Sequence, residues 1–363
     1  MTAFDGAAMT ADLARLVSAE SPSGAAEALA ACREEVAALG ERLLGAAPAV
    51  HGEHLLWGSG TPRILVLGHY DTVWPLGTLA RWPFTIDGDR ATGPGCFDMK
   101  AGLVQAFHAL AALPDREGVS FLVTSDEETG SVTSRPLIEA LAAHAEAALV
   151  AEPSADGALK TSRKGLARYD LRVTGRAAHS GLDPERGVNA GLELAHQTLA
   201  VAALADPAAG TTVTPAASRA GTTANTVPAA ASLAIDVRAF TAAELARVHD
   251  ALHALVPVVP GASLAVVDGP SRGPFPRSAA AALYERAART AESLGLPPLR
   301  EAAVGGGSDG NITATLGVPT LDGLGAVGGN AHAEGEWLDL REMPARSRLL
   351  SALVAGMIND ARW

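Results

Sequence analysis

At 363 residues the chain exceeds the size at which a single hydrophobic core usually stops growing, so two domains are expected. Hydrophobic residues make up 48% and charged residues 19%, which excludes a disordered chain and describes a well-packed globule. A formal net charge of -12 excludes a nucleic-acid partner, because phosphate binding needs a basic face.

In chain order, apolar spacing predicts a helix over Met9–Val17 and, after the break Ser21-Pro22-Ser23-Gly24, another over Ala25–Leu44. The stretches His51–Trp57 and Arg63–Gly68 read as strands, Met99–Leu113 as a helix, and Val119–Thr124 as an aliphatic strand. A helix over Pro136–Ala145 and a strand over Ala147–Ala151 follow. Strands alternating with helices predict an α/β unit with a mostly parallel sheet, whose site lies at the carboxyl ends of the strands. From about Gly165 the pattern changes to alternation with one wet face. The predicted order is a strand at Ala167–Gly175, a helix at Asn189–Leu204, strands at Thr211–Arg219 and Thr226–Phe240, a helix at Ala242–Val256 and a strand at Ser263–Asp268. That β-α-β-β-α-β order is the ferredoxin-like split unit, whose adjoining termini suit an inserted domain. The earlier style then resumes, with helices at Ala279–Leu294 and Pro344–Ile358 and a strand at Pro319–Leu321. The domain reading is 1–165 and 274–363 for one domain, with 166–273 inserted. Only two cysteines, Cys32 and Cys96, occur, and no basic, apolar leader precedes the first helix. A soluble protein of the reducing cytoplasm is the expectation, with no membrane partner.

Two histidines and several carboxylates follow strands or sit in Gly-rich loops and are candidate ligands. In an extended strand end His69 and Asp71 share a face, and a carboxylate beside an imidazole orients it for a metal. Asp98 follows Gly93-Pro94-Gly95, Glu152 follows a strand, and His332 lies in a late Gly-rich turn. The adjacent acids Glu127 and Glu128 diverge if the backbone is extended, so one can bind metal while the other faces a water. Imidazole and carboxylate without thiolate suit Zn²⁺, Co²⁺ or Mn²⁺, and the surplus of acids suggests two ions bridged by one of them. The remaining histidines His51, His54, His108, His144, His196, His249 and His253 belong to no constellation, and Cys96 reads as a small filler.

Taken together, these motifs resemble the M20 metallopeptidases, and within them the glutamate carboxypeptidase (carboxypeptidase G2) branch. GHYDTVWPLGTL, PFTIDGDRATGPGCFDMKAG, TSDEETGS, AEPS, GRAAHSG, NTVPA, DVR, GGGSDGN and AHAEGEWL fall in the family's order over nearly the whole chain. The resemblance implies a zinc-peptidase catalytic domain with an inserted ferredoxin-like lid and dimerisation domain. It implies two zinc ions per subunit, His69 and Glu152 on one, Glu128 and His332 on the other, and Asp98 between them. Asp71 would orient His69, and Glu127 would be the general base. Met99 stands where most members of the branch carry Asp, which weakens the subgroup assignment but leaves the ligand set intact.

The implied reaction is amide hydrolysis releasing a C-terminal amino acid, with glutamate the candidate, from an N-acyl or peptidyl substrate. The oxyanion would be met by a metal and His179, brought by domain closure or, as the resemblance favours, by the partner in a homodimer. Arg272 resembles the family's carboxylate-binding arginine, whose fork holds an acid in two places. Asn225 could donate to the same carboxylate or to the oxyanion, and Gly306 and Ser308 could let substrate approach the backbone. Arg238 reads as the structural partner of a nearby acid. The alternatives are an N-acyl-amino-acid deacylase or dipeptidase using the same site, and a non-catalytic metal-binding homologue, against which the presence of Glu127 counts.

Overall fold

The computed structural model describes residues 4–360, so the first three residues of the N-terminal segment lie outside it. The chain forms two units. One comprises the residues up to Ser162, Phe275–Val304 and those from Ser308 onward; the other comprises Arg163–Pro274 with Gly305–Gly307.

The first unit is built on a six-stranded sheet in the order Ala49–His51, His54–Trp57, Val119–Thr124, Ile64–His69, Ala147–Val150, Thr320–Leu321. The last four run parallel. The first two form an antiparallel hairpin, and His54–Trp57 also lies antiparallel to Val119–Thr124. The single strand expected over His51–Trp57 therefore splits in two. Gly52 takes φ 64°, the left-handed backbone that a two-residue hairpin turn demands.

Every residue of Ile64–His69 and Val119–Thr124 is buried, because helices cover both faces of the sheet. Leu65, Leu67 and Leu122 pack on one side with Ile138 of the helix Arg135–Ala142 and Ile312 of Gly310–Thr315. Val66, Phe121 and Val123 pack on the other with the helices Gly6–Ser18, Ala26–Leu44, Ala101–Ala111 and Glu342–Asn359. Phe107 sits at the centre of that second layer, its ring 4.9 Å from both Trp57 and Phe121 in edge-to-face geometry.

A second sheet was not foreseen from the sequence. Gly328–Gly329, Trp337–Asp339, Arg90–Thr92 and Thr85–Asp87 pair antiparallel in that order. Strands of two or three residues are too short to carry a hydrophobic period. Their pairing nevertheless ties the segment after His332 to the segment before Asp98.

The second unit is a four-stranded antiparallel sheet in the order Thr212–Ala220, Ala230–Ala239, Gly165–Thr174, Ser263–Arg272. With the helices Ala190–Ala202 and Ala242–His253 it has the ferredoxin-like β-α-β-β-α-β order. Ala167, Tyr169, Leu171 and Val173 point alternately inward and meet Leu194, Val248 and Leu252 from the helices. Its entry and exit adjoin, since Leu166 is paired with Arg272. The strand expected from Thr226 starts instead at Ala230, because Thr226 bridges to His179 in a loop pairing.

Replacing Phe107 by alanine should remove about 3–5 kcal/mol of stability, the usual effect of deleting a fully packed aromatic ring. Urea denaturation measures this, and a loss below about 1 kcal/mol would show that the ring is not central to the core.

Candidate active site

The parallel strand Ile64–His69 ends in His69, which is 1% exposed. Its Nδ1 lies 2.9 Å from the Asp71 carbonyl oxygen and 3.4 Å from Asp71 Oδ1, so the backbone acceptor is the nearer one. Both acceptors favour a proton on Nδ1, which in the neutral ring leaves the Nε2 lone pair facing Asp98 Oδ1 and Glu152 Oε1, each 3.5 Å away. Burial acts to lower the pKa of His69, but the carboxylates of Asp71, Asp98 and Glu152 outweigh it and raise the value well above that of a free imidazole.

Asp71 is fully buried and serves three elements. Its Oδ2 accepts from Ser23 Oγ at 2.7 Å, and its two oxygens accept the backbone N–H groups of Glu127 and Glu128 at 3.2 Å each. Ser23, placed only in a chain break by the sequence, is thus part of the support of the site. Glu127 and Glu128 occupy a single 3₁₀ turn, Glu127–Thr129, rather than the extended backbone assumed from the sequence. Successive side chains still diverge there, because a turn of three residues separates them by about 120°. Asp126 closes the turn by accepting from Thr133 N at 2.6 Å and Thr133 Oγ1 at 2.8 Å. His54 braces the strand end from behind, with Nδ1 accepting from Ser125 N at 3.3 Å.

Asp98 sits after Gly93-Pro94-Gly95, in a turn whose backbone leaves helical geometry at Asp98 itself, with a cis peptide bond to Met99. The residue that holds this turn is Glu336. Its Oε1 accepts from Phe97 N at 2.8 Å and Asp98 N at 2.9 Å, and its Oε2 from Gly95 N at 2.9 Å and Trp74 Nε1 at 2.7 Å. Burial pushes the Glu336 carboxyl up to about 7; these N–H groups act against that rise, and the charge of Asp98 adds to it. Nothing in the run AEGEWL marks Glu336 from sequence, since its partners, three backbone N–H groups and the Trp74 indole, lie 238 to 262 residues away.

His332 adopts φ 62°, unusual for a residue with a side chain, and its Nε2 lies 3.1 Å from Glu128 Oε1 and 3.4 Å from Asp98 Oδ2. Between those two carboxylates its pKa rises to about 10. Asp98 shows the counterpart: burial would raise its pKa, but His332 and His69 hold it well below the usual carboxylate range. Burial raises Glu128.

These residues fit divalent cations. Two of the atoms that would ligate, His69 Nε2 and Asp98 Oδ1, are buried without a hydrogen-bond partner among the described residues, an arrangement that costs free energy unless a cation is the intended partner. Ligand atoms of His69, Asp98 and Glu128 lie within 4.8 Å of one another, as do those of His69, Glu127 and Glu152. Asp98 presents Oδ1 to one imidazole and Oδ2 to the other. The donors are nitrogen and oxygen only, as zinc, cobalt or manganese accept.

In the second unit the structure brings His179 and Asn225 together: Ser180 N donates to Asn225 O at 3.0 Å, and His179 bridges Thr226. His179 is exposed, and its Nδ1 accepts from Gly181 N and Leu182 N, each at 3.1 Å. Two donors aimed at Nδ1 fix the neutral ring with its proton on Nε2. Arg272 is buried at the end of its strand. Gly306 O accepts from Arg163 Nη1 at 3.1 Å. Arg238 pairs with Asp236 at 2.8 Å, as its sequence context suggested. Ser308, in the first unit, is fully buried with its hydroxyl donating to Asp322 at 2.6 Å, so it anchors the helix that follows and does not present that group to solvent.

Residues 65–356 match the model of peptidase family M20/M25/M40. The chain belongs to this family. Carboxypeptidase G2 of Pseudomonas sp. (strain RS-16) is 32% identical over 95% of this chain and 89% of that protein. A succinyl-diaminopimelate desuccinylase of Burkholderia vietnamiensis is 29% identical over 85% of this chain and 89% of its own. An M20 family metallo-carboxypeptidase from Sulfolobus solfataricus has the same fold, with a TM-score of 0.76 at 17% identity, covering 96% of this chain and 98% of that one. The resemblance carried by the sequence motifs is therefore correct, and this M20 chain is a metallo-hydrolase of amide bonds. Among the described residues no helix is long and apolar enough to cross a membrane.

Removing the Glu336 carboxylate by Glu336→Ala leaves three backbone donors and the Trp74 indole without their acceptor. Partners at this remove from a metal typically contribute tenfold or more in affinity, so bound metal measured by elemental analysis at limiting supply should fall at least about tenfold. Undiminished metal content would show that the Asp98 turn holds its shape without Glu336.

Proposed function

We propose that this M20 chain removes a C-terminal amino acid, with glutamate the first candidate, from N-acyl or peptidyl substrates. The observation that carries the reading is Asp98, whose two oxygens face two different imidazoles, the disposition of a bridging ligand. His69 and Glu152 would hold one cation and Glu128 and His332 the other, with Asp98 shared. Zinc is the proposed metal, Co²⁺ and Mn²⁺ being accepted by the same donors. Two such ions supply Lewis acidity that polarises the amide carbonyl and acidifies water.

The chain's own residues do the rest. Glu127 takes the proton of the attacking water and returns it to the leaving amine, while Asp71 keeps the His69 ring in one tautomer. His179, with its proton on Nε2, is the proposed donor to the oxyanion, delivered within a homodimer built through the four-stranded unit. Arg272, with Asn225, is the proposed clamp on the substrate carboxylate, and Gly306 offers backbone without a side chain beside it. The similarity to a desuccinylase favours a second reading, deacylation of an N-acyl amino acid by the same machinery. Both cysteines are buried free thiols, in keeping with the cytoplasm as the proposed compartment.

Release of glutamate from an N-acylglutamate, abolished by a chelator and restored by zinc, tests the reaction. Glu127→Gln should keep its metals and lose at least about a hundredfold in kcat, the usual weight of a general base. Full turnover in that variant would remove Glu127 from the role. Arg272→Ala should raise KM for substrates with a free C-terminal carboxylate and leave their amidated counterparts unaffected; identical kinetics would take Arg272 out of the site.

A further inference from the structure

The four-stranded unit carries a group of side chains that the hydrolytic centre does not use. His249 and His253 stand one turn apart on the helix Ala242–His253, so both imidazoles leave the same face. Asp268, on the neighbouring strand Ser263–Arg272, meets them where the register with Gly165–Thr174 shifts, between Asp268 and Ser271. Such irregularities re-aim side chains. His253 Nε2 lies 2.9 Å and His249 Nδ1 3.9 Å from the same oxygen, Asp268 Oδ1, and the two ring centroids are 4.4 Å apart. One ligand atom from each residue lies within 4.8 Å of the other two. The Tyr169 hydroxyl borders the group, 3.3 Å from His249 Nδ1.

A hydrogen bond between His253 and Asp268 accounts for one imidazole. The second imidazole has the Tyr169 hydroxyl as its hydrogen-bond partner, and it turns the same nitrogen toward the carboxylate that His253 meets. Two imidazoles and a carboxylate converging from a helix and an adjacent strand form the three-ligand set of a tetrahedral site with one open position. We propose that His249, His253 and Asp268 bind one divalent transition-metal ion of the zinc class, at a site separate from the hydrolytic centre. Two nitrogen donors in three disfavour Ca²⁺ and Mg²⁺, which require oxygen ligands. The surroundings are electronegative: burial raises the Tyr169 phenol, and the carboxylates of Asp268 and Asp250 raise it further. The side chains of His249, His253 and Asp268 are 43%, 39% and 57% exposed, so an ion reaches them directly from solvent. Once bound it would fasten the helix to the strand that follows it and stabilise this unit by mass action.

The test is a zinc titration of the full chain with its hydrolytic centre already loaded, followed by calorimetry and elemental analysis. One further ion per chain is expected in the unaltered protein and in Asp98→Asn. In His249→Ala and in His253→Ala its affinity should fall at least about tenfold, since even indirect metal partners contribute that much. Hydrolytic activity should be unchanged in both, because neither residue belongs to the hydrolytic centre. The site is refuted if the unaltered protein takes up no further ion, if both alanine variants bind it equally well, or if Asp98→Asn abolishes it.

Discussion

Charge governs the carboxyl end of the central sheet. Asp98, Glu127, Glu128 and Glu152 converge there on the imidazoles of His69 and His332 within a few ångströms, with His69 and Glu152 buried and His332 half-exposed. Two like charges about 4 Å apart repel by roughly 4 kcal/mol at the effective dielectric of a protein surface. Such a cluster lowers stability unless positive charge is placed inside it. The shifts of its members agree on this: both imidazoles are pushed toward the cationic form, and Asp98 is held ionised by them. The proposed pair of divalent cations would meet the same demand, with ligands in place of protons.

Two buried acids outside the proposed ligand set hold the turns in place. Asp71 joins Ser23, His69 and the Glu127–Glu128 turn, while Glu336 joins the Asp98 turn to the segment that carries His332. Each uses both carboxylate oxygens on N–H or O–H donors. In the proposed mechanism this leaves Glu127 beside the ligand set as the base, and the acids divide into ligands, one proton carrier and two supports.

Much of this was legible from the chain because long aliphatic runs announce buried strands and residues just after them face the crevice. His69, Asp71, Glu127, Glu128 and Glu152 stood out in that way, and Asp98 and His332 through glycine-rich turns, while the choice of Glu128 over Glu127 as a ligand came from the family resemblance. The supports were hidden for physical reasons. Glu336 bonds to backbone groups, which leave no side-chain pattern to read, and the small sheet beside it is made of strands too short to show a period. The 3₁₀ turn at Glu127 was taken for extended chain, because the Asp126 and Asp71 hydrogen bonds that coil it come from distant or backbone partners. His249 and His253 looked ordinary because Asp268, their third member, meets them only through the fold of the four-stranded sheet.

The hydrogen bonds made by Asp71 and Glu336 have a consequence for how the enzyme would acquire its ions. They run between carboxylate and amide and require no cation, so the ligand-bearing turns are shaped by the polypeptide itself. The turns that carry the proposed ligands are therefore tied down by bonds that do not involve a metal. Which element fills a preformed nitrogen and oxygen cage is decided by the free concentrations the cell maintains, set against the intrinsic rank order of the divalent series. Identity of the native ion becomes a property of the compartment's metal pool as much as of the protein.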